Sequence, residues 1–522
     1  MLLRDSWFNY TVIRTAIIVA RLITPASIAY CIVVPVFRPH KFFRSPLLPF
    51  SIWAIAETVF YTSVYLPLSS ALQSEAAHPP PPPRAERRVL FQRCLDTVSD
   101  TEHYLSGWFH GASIADIKRE NLKEFYAWSF LNKKYRDVDE AESRELDGYV
   151  DQLEQRLDRP FEEGYGKAQS LRGTMQGVHM QHRPLLWYLI VGVIDLGCHS
   201  ILLFNNYQFN RQMILPSLST FPIRPLAILG TAAQTDTKFS YWYREHTAKH
   251  RLPILVIHGV GIGMFAYVNF LLEMNRQQSA FDGEGEVGII ALELLPVSAR
   301  ISTPALAADE TREEVRRILD KHGWKEFVLV GHSYGTAIAA SILRDPQFER
   351  RVKASVLMDP ICFLLHWPDV AYNFTRRDPT TTSEYMLHYF SSRDMMISHT
   401  FARRFFWTQY ILWREDVANI PLTVTLSAQD IIVPTKAVWE YLISEPSHAS
   451  PNGDIAAKKL DAAKDRLGNA VVERETGLLK AVLFEDFNHA SLFSSKRAMR
   501  GVVRQIYQYS GEYGGRSEDS GE

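Results

Sequence analysis

Only four cysteines occur in 522 residues, Cys31, Cys94, Cys198 and Cys362, and no two form a C-x-x-C pair. That scarcity excludes a disulfide framework and the common zinc spacings. An excess of charge of either sign is missing too. With 57 basic against 58 acidic side chains the formal net charge is −1, which gives no electrostatic case for a nucleic-acid partner. The glycine-rich loop Gly259-Val260-Gly261-Ile262-Gly263 has no P-loop lysine, and Met264 follows where a G-x-G-x-x-G fingerprint would continue differently. No cofactor and no metal are expected.

What the chain has in quantity is uninterrupted apolar length. The hydrophobic fraction of 46% is ordinary, but long apolar runs crowd the N-terminal part. The first, 15–37, is about long enough to cross a bilayer; Arg21 is its only charge, Pro25 and Pro35 would bend it, and Arg38, Lys41 and Arg44 follow. The second, 46–72, carries only Glu57. Residues 1–72 therefore read as two transmembrane helices joined by a short basic loop. Charges inside a bilayer need partners, so Arg21 and Glu57 are expected to face each other. A cleaved signal peptide fits the first run less well, because the run is too long and Arg21 interrupts it.

Residues 73–183 read as a proline-rich linker and a helical accessory region. His78 and Pro79 to Pro83 favour a semi-rigid spacer; Arg84, Arg87 and Arg88 behind it could touch anionic headgroups. Ser113-x-x-Asp116 looks like a capping box before a helix carrying Ile117, Leu122, Phe125 and Leu131. Leu146, Val150, Leu153 and Leu157 form one stripe of a second helix over 138–157. No chemistry attaches to Gly107-Trp108-Phe109-His110-Gly111. A third apolar run, 184–204, reads either as a membrane helix or as a buried amphipathic one. Its Asp195 and His199 lie one turn apart and would share a face, weak grounds for a metal or proton-relay reading. Basic residues flank the runs on both sides, so charge does not orient them.

Beyond about residue 224 short apolar runs alternate with helical segments, the pattern of a mostly parallel sheet. Strands are expected at 253–258, 287–292, 327–330, 354–358, 422–426 and 479–484, with 239–243 as an earlier edge strand. The third of these main strands runs straight into Gly331-His332-Ser333-Tyr334-Gly335 and an alanine-rich helix. This is G-x-S-x-G in the strand–turn–helix setting that gives it meaning: a serine on a tight turn, flanked by glycines because larger neighbours would clash.

Acyl transfer through serine also needs a base, an acid that orients it, and donors for the oxyanion. His489 follows the last strand, and Asp430 follows the strand before it, ahead of Val433-Pro434. Glu485 and Asp486 are fallback acids, too near His489 in sequence to reach around its ring easily. The donor loop is His258 to Gly263, whose glycines allow close approach, and the named donors are the backbone N–H groups of Val260 and Tyr334.

On His258-Gly259, the Ser333 pentapeptide, Asp430 and His489 in that chain order, residues 225–510 resemble the α/β-hydrolase superfamily. The resemblance implies an α/β fold with a mostly parallel central sheet and a helical cap, preceded here by transmembrane helices and the accessory region. It implies Ser333, Asp430 and His489 as catalytic residues, and Val260 and Tyr334 as the oxyanion hole. The insertion between Asp359-Pro360 and the 422–426 strand matches the family's cap, at 361–420. It is rich in aromatic residues, with Arg403 and Arg404 expected at lipid headgroup level. A second insertion, 445–475, carries a polar helix over 455–467 and no chemistry; residues 511–522 read as a disordered tail.

The expected function is a membrane-bound serine hydrolase cleaving carboxylic esters, with lipid or other apolar esters as substrates and the membrane as its partner. The alternatives are an acyltransferase, amidase or peptidase of the same fold, or a non-catalytic membrane scaffold. The expected setting is multi-pass insertion in an endoplasmic-reticulum or lipid-droplet-associated membrane.

Overall fold

The computed structural model describes residues 5–37, 47–213, 217, 219–229, 233–234, 236–278, 285–444 and 471–514. Ten strands form one sheet: β1 (Gln208–Arg211), β2 (Ala233–Gln234), β3 (Ser240–Arg244), β4 (Ile254–Ile257), β5 (Ile289–Glu293), β6 (Phe327–His332), β7 (Val352–Met358), β8 (Leu422–Ser427), β9 (Val471–Thr476) and β10 (Leu479–Phe484). Their order is β2-β1-β3-β5-β4-β6-β7-β8-β10-β9. From β5 to β10 along the sheet every neighbour is parallel; β3 runs antiparallel to both β5 and β1, β1 is parallel to β2, and β9 is antiparallel to β10.

The inner strands β4 to β8 are buried at almost every position and mainly apolar, because both sheet faces are covered. Side chains alternate between the faces. Leu255, Ile257, Phe327 and Leu329 point into one core, shared with the helices Ala308–Lys321, Tyr334–Leu343 and Thr435–Ile443. Ile254, Val256, Val328 and Val330 point into the other, against Val268–Gln278 and Lys496–Gly514.

Three strands escape the sequence reading. β1 and β2 are short, and β9 lies in the stretch expected to be a surface excursion. β9 instead pairs in full register with β10 through a turn at Gly477, which adopts φ +61°. The polar helix expected over 455–467 lies outside the described residues, as do the basic loop 38–46 and residues 515–522. The expected disordered tail needs one correction: the last helix continues to Gly514, where Tyr513 packs on the sheet-covering core.

At the N-terminus a 31-residue helix (Trp7–Phe37) lies antiparallel to a second helical rod. The rod comprises Leu48–Phe60, a π-helical turn Tyr61–Tyr65, and Leu66–Ala71. Thr24 donates to Glu57 at 2.6 Å, and Tyr30 meets Ser51 at 2.8 Å. The expected Arg21–Glu57 pair does not form. Glu57 is fully buried and accepts the N–H of Leu185 at 2.8 Å, at the start of helix Leu185–Phe204, where backbone donors lack intrahelical partners. Arg21 faces outward, donating to Gln181 at 3.0 Å and lying over the Tyr389 ring.

Asp195 and His199 do not form a pair either. Asp195 takes Arg224 and Arg300, each at 2.9 Å, and Arg224 continues to Glu293 on β5. His199 packs against Trp242, ring centroids 4.7 Å apart. The third apolar helix is thus tied to the sheet by a buried charge network on one face, while Val193 and Phe204 stay exposed on another.

The accessory region packs on the cap. Ser113 caps only a short 3₁₀ turn, Ile114–Asp116; the helix itself starts later, at Arg119–Leu131, with the Asn121 side chain accepting the Lys118 N–H. A second helix, Glu140–Leu157, opens on a capping box of Asp139 and Glu142. Arg87, read from the sequence as part of a solvated basic linker that could touch headgroups, is buried in a two-bond pair with Glu145 at 2.9 and 2.6 Å. Gly107 finds its reason here: a β-carbon would sit 2.5 Å from Pro368 of the cap. Arg403 is likewise a buried clamp, donating to the carbonyls of Ser74 and Gln176.

Candidate active site

The turn after β6 holds Ser333 at φ 51° and ψ −121°, a conformation strained for any L-residue. Tight packing imposes it. A β-carbon on Gly335 would lie 2.2 Å from the Ile257 carbonyl oxygen, and one on Gly331 would lie 3.2 Å from that of Gly335. The turn is pinned from behind, since Ser333 N–H donates to the Met358 carbonyl at 3.0 Å and the Thr336 hydroxyl to the Ser333 carbonyl at 2.6 Å.

Ser333, Asp430 and His489 come together although 156 residues separate the serine from the histidine. Ser333 Oγ lies 2.8 Å from His489 Nε2, and His489 Nδ1 lies 2.6 Å from Asp430 Oδ2. Asp430 Oδ1 accepts the N–H groups of Ile432 and Val433 at 2.7 and 3.0 Å, which fixes the carboxylate's orientation. Glu485 and Asp486 are exposed, and the ring is held by Asp430. Burial works against a charged His489 ring, but the Asp430 carboxylate and its hydrogen bond, with Asp359 behind, outweigh it and raise the ring above the ordinary histidine value.

Val260 and Tyr334 line the pocket in front of Ser333 together with His489. Gly259 approaches so closely that a β-carbon there would meet the Ser333 β-carbon at 2.7 Å. His258 braces this loop. Its Nε2 accepts the Leu294 N–H at 2.9 Å, so Nδ1 carries the proton and donates to the Gly259 carbonyl at 2.6 Å. Burial drives the His258 value down to about 4, in keeping with a neutral structural ring.

Sequence reasoning missed a second carboxylate, Asp359, at the end of β7. It is 3% exposed, sits at φ 42°, and accepts the Ala490 N–H at 2.8 Å beside the base. His332 Nε2 lies 3.7 Å from it, and His332 Nδ1 accepts from the Tyr267 hydroxyl at 2.6 Å, which in turn accepts the Gly259 N–H at 2.7 Å. A chain of polar groups behind Ser333 therefore links the loop beside it to the loop bearing His489. Burial opposes ionisation of Asp359, but His332, His489 and the Ala490 N–H pull its carboxyl below the ordinary range. The available signal was an aspartate directly after a buried strand. Asp359, Asp430 and His489 place ligand atoms within 4.8 Å of one another, but a metal there would have to displace the bonds just described.

The pocket is small and apolar, with an empty volume of about 400 Å³ and walls that include Ile361, Val370, Phe374, Leu387 and Phe401. Its outer wall is the cap, whose helices Pro368–Thr375 and Met395–Arg403 supply Val370, Phe374 and Phe401.

Sheet order, turn and cap define an α/β-hydrolase fold. A sequence model of the alpha/beta hydrolase fold matches residues 297–412. An abhydrolase domain-containing protein of Caenorhabditis elegans, abhd-5.2, is 28% identical over 137 residues; the match spans 25% of this chain and 28% of that protein. Among solved structures, a serine hydrolase from Cycloclasticus zankles has 13% identity over 53% of this chain and 97% of its own, at a TM-score of 0.33. A bacterial membrane phospholipase A has 10% identity over 62% of this chain and 92% of its own, at a TM-score of 0.35.

Proposed function

We propose that the chain is a membrane-associated serine hydrolase that cleaves carboxylic esters of lipids. The observation that carries the reading is the Ser333–His489–Asp430 hydrogen-bonded series at 2.8 and 2.6 Å. In this mechanism His489 takes the Ser333 proton as Oγ attacks the ester carbonyl. The oxyanion rests on the N–H groups of Val260 and Tyr334, and the imidazolium is held by Asp430. Collapse expels the alcohol, protonated by His489, and leaves an acyl-serine. Water, deprotonated by the same ring, then releases the acid and frees Ser333.

Two features support a lipid substrate and a membrane setting. The walls in front of the serine are almost wholly apolar. The helices Trp7–Phe37 and Leu185–Phe204 are long and apolar enough to cross a bilayer, and Leu22, Ile32, Val36 and Val193 stand exposed on them. In the folded, detergent-solubilised protein, a fluorophosphonate probe is expected to label Ser333, and Ser333→Ala to lose both labelling and ester hydrolysis. An unlabelled wild type, or a Ser333→Ala variant that still turns over esters, would overturn the reading. Product analysis with water against alcohol acceptors separates hydrolysis from acyl transfer.

A further inference from the structure

A second cavity adjoins the catalytic pocket, between the cap and the accessory helices. Val370 and Phe401 line both cavities. Phe401 stands at the junction, packed on Phe374, Phe405 and Tyr334 with ring centroids 4.6, 5.2 and 5.5 Å apart. This half-buried side chain and Val370 therefore form the wall that the two spaces share.

The chemistry of the wall is unusually one-sided. No charged side chain lines it. Three tryptophans do, and each indole N–H is spent elsewhere: Trp108 on the His366 carbonyl, Trp128 on the Thr174 hydroxyl, and Trp407 on the Ser129 carbonyl. Thr375 donates to Ala371, and the Asn132 amide N–H to Pro79, so these donors are also engaged within the chain. What remains facing the space is mostly carbon, and a wall of that kind favours hydrocarbon. The larger cavity on another side of Tyr334 differs, because Asp236, Lys238 and Glu293 are in its wall.

We propose that this cavity is the binding site for the hydrocarbon chain of the substrate's acyl group, with Phe401 and Val370 as its threshold. The accessory region thereby becomes part of the substrate site, since Trp108, Trp128 and Thr174 lie outside the hydrolase domain. The inference rests on the serine-hydrolase reading above and adds to it where the acyl chain goes.

The test uses alkyl fluorophosphonates of short (four-carbon) and long (twelve-carbon or longer) chain on the full-length protein in detergent, reading the rate of labelling at Ser333. Gly173 also lines the cavity, and a β-carbon there would meet no atom within 4 Å, so Gly173→Phe can fill the space without displacing the chain. Ala371→Phe fills it from the cap side, and Ala305→Trp, in the larger cavity, is the control. Wild type is expected to react at least about tenfold faster with the long probe. Gly173→Phe and Ala371→Phe are expected to erase that preference while keeping the short-probe rate within about twofold, and Ala305→Trp to leave both rates unchanged. A long-chain preference that survives both filling variants, or that disappears in Ala305→Trp instead, overturns the acyl site alone. No labelling by either probe removes the serine-hydrolase reading and the acyl site with it.

Discussion

At the scale of single residues, the site depends on atoms that cannot move and charges that tune one ring. Gly335 has no room for a methyl group against the Ile257 carbonyl 2.2 Å away, and that oxygen belongs to a central strand. Gly335→Ala is therefore expected to lower the thermal midpoint sharply or prevent folding; a variant as stable as wild type would contradict the close approach. Asp359 offers a subtler test. The ring of His489 faces Asp430, Asp359 and the His332 ring, and both carboxylates hold its proton on. A base must be neutral to act, so kcat/KM rises as pH passes upward through the His489 value. Asp359→Asn removes one of the charges that raise that value, so the acidic limb should move to lower pH. An unmoved limb would mean that Asp359 serves structure only.

At the scale of elements, the accessory helices share an apolar core, and buried polar anchors within it fix how they meet. Glu145 receives two bonds from Arg87 and one from the Tyr149 hydroxyl at 2.6 Å, with its side chain 2% exposed. Removing one partner strands the other's charge in the interior, which costs about 3–5 kcal/mol. Glu145→Ala should then lower stability to denaturant by about that amount, whereas Arg84→Ala, which removes the partly exposed neighbour 3.4 Å away, should change little. The same logic accounts for Glu57. A lone carboxylate in an apolar run looks like half of a pair with Arg21, but the Leu185 N–H at a helix N-terminus, the Thr24 hydroxyl and the His182 ring meet it instead.

At the scale of the whole molecule, the helix Trp7–Phe37 packs on the cap, with Tyr10 and Arg14 against Tyr385 and Arg21 over Tyr389, and the cap in turn walls the pocket at Ser333. If the exposed apolar faces of Trp7–Phe37 and Leu185–Phe204 meet lipid, the full-length protein should stay in the membrane pellet through an alkaline carbonate wash and leave it only in detergent. Release by carbonate alone would favour peripheral association.

Local signals carried much of this protein in its sequence. Strands with both faces covered carry few polar side chains, so β4 to β8 and β10 are legible as short, mainly apolar runs, and a serine between obligatory glycines marks the turn after β6. The order of Ser333, Asp430 and His489 is legible because each follows a strand end. What the sequence could not supply is anything that depends on which surfaces meet. Asp359 looks like any aspartate after a strand until β7 is laid beside β6 and β8. Arg87, Arg403 and Glu57 change meaning once a partner from far along the chain arrives. Trp108 and Trp128 become walls of a cavity only when the accessory helices dock on the cap. Backbone periodicity is a property of neighbours in sequence, whereas cavities, buried ion pairs and the direction of an indole N–H are properties of neighbours in space, and those only the tertiary structure decided.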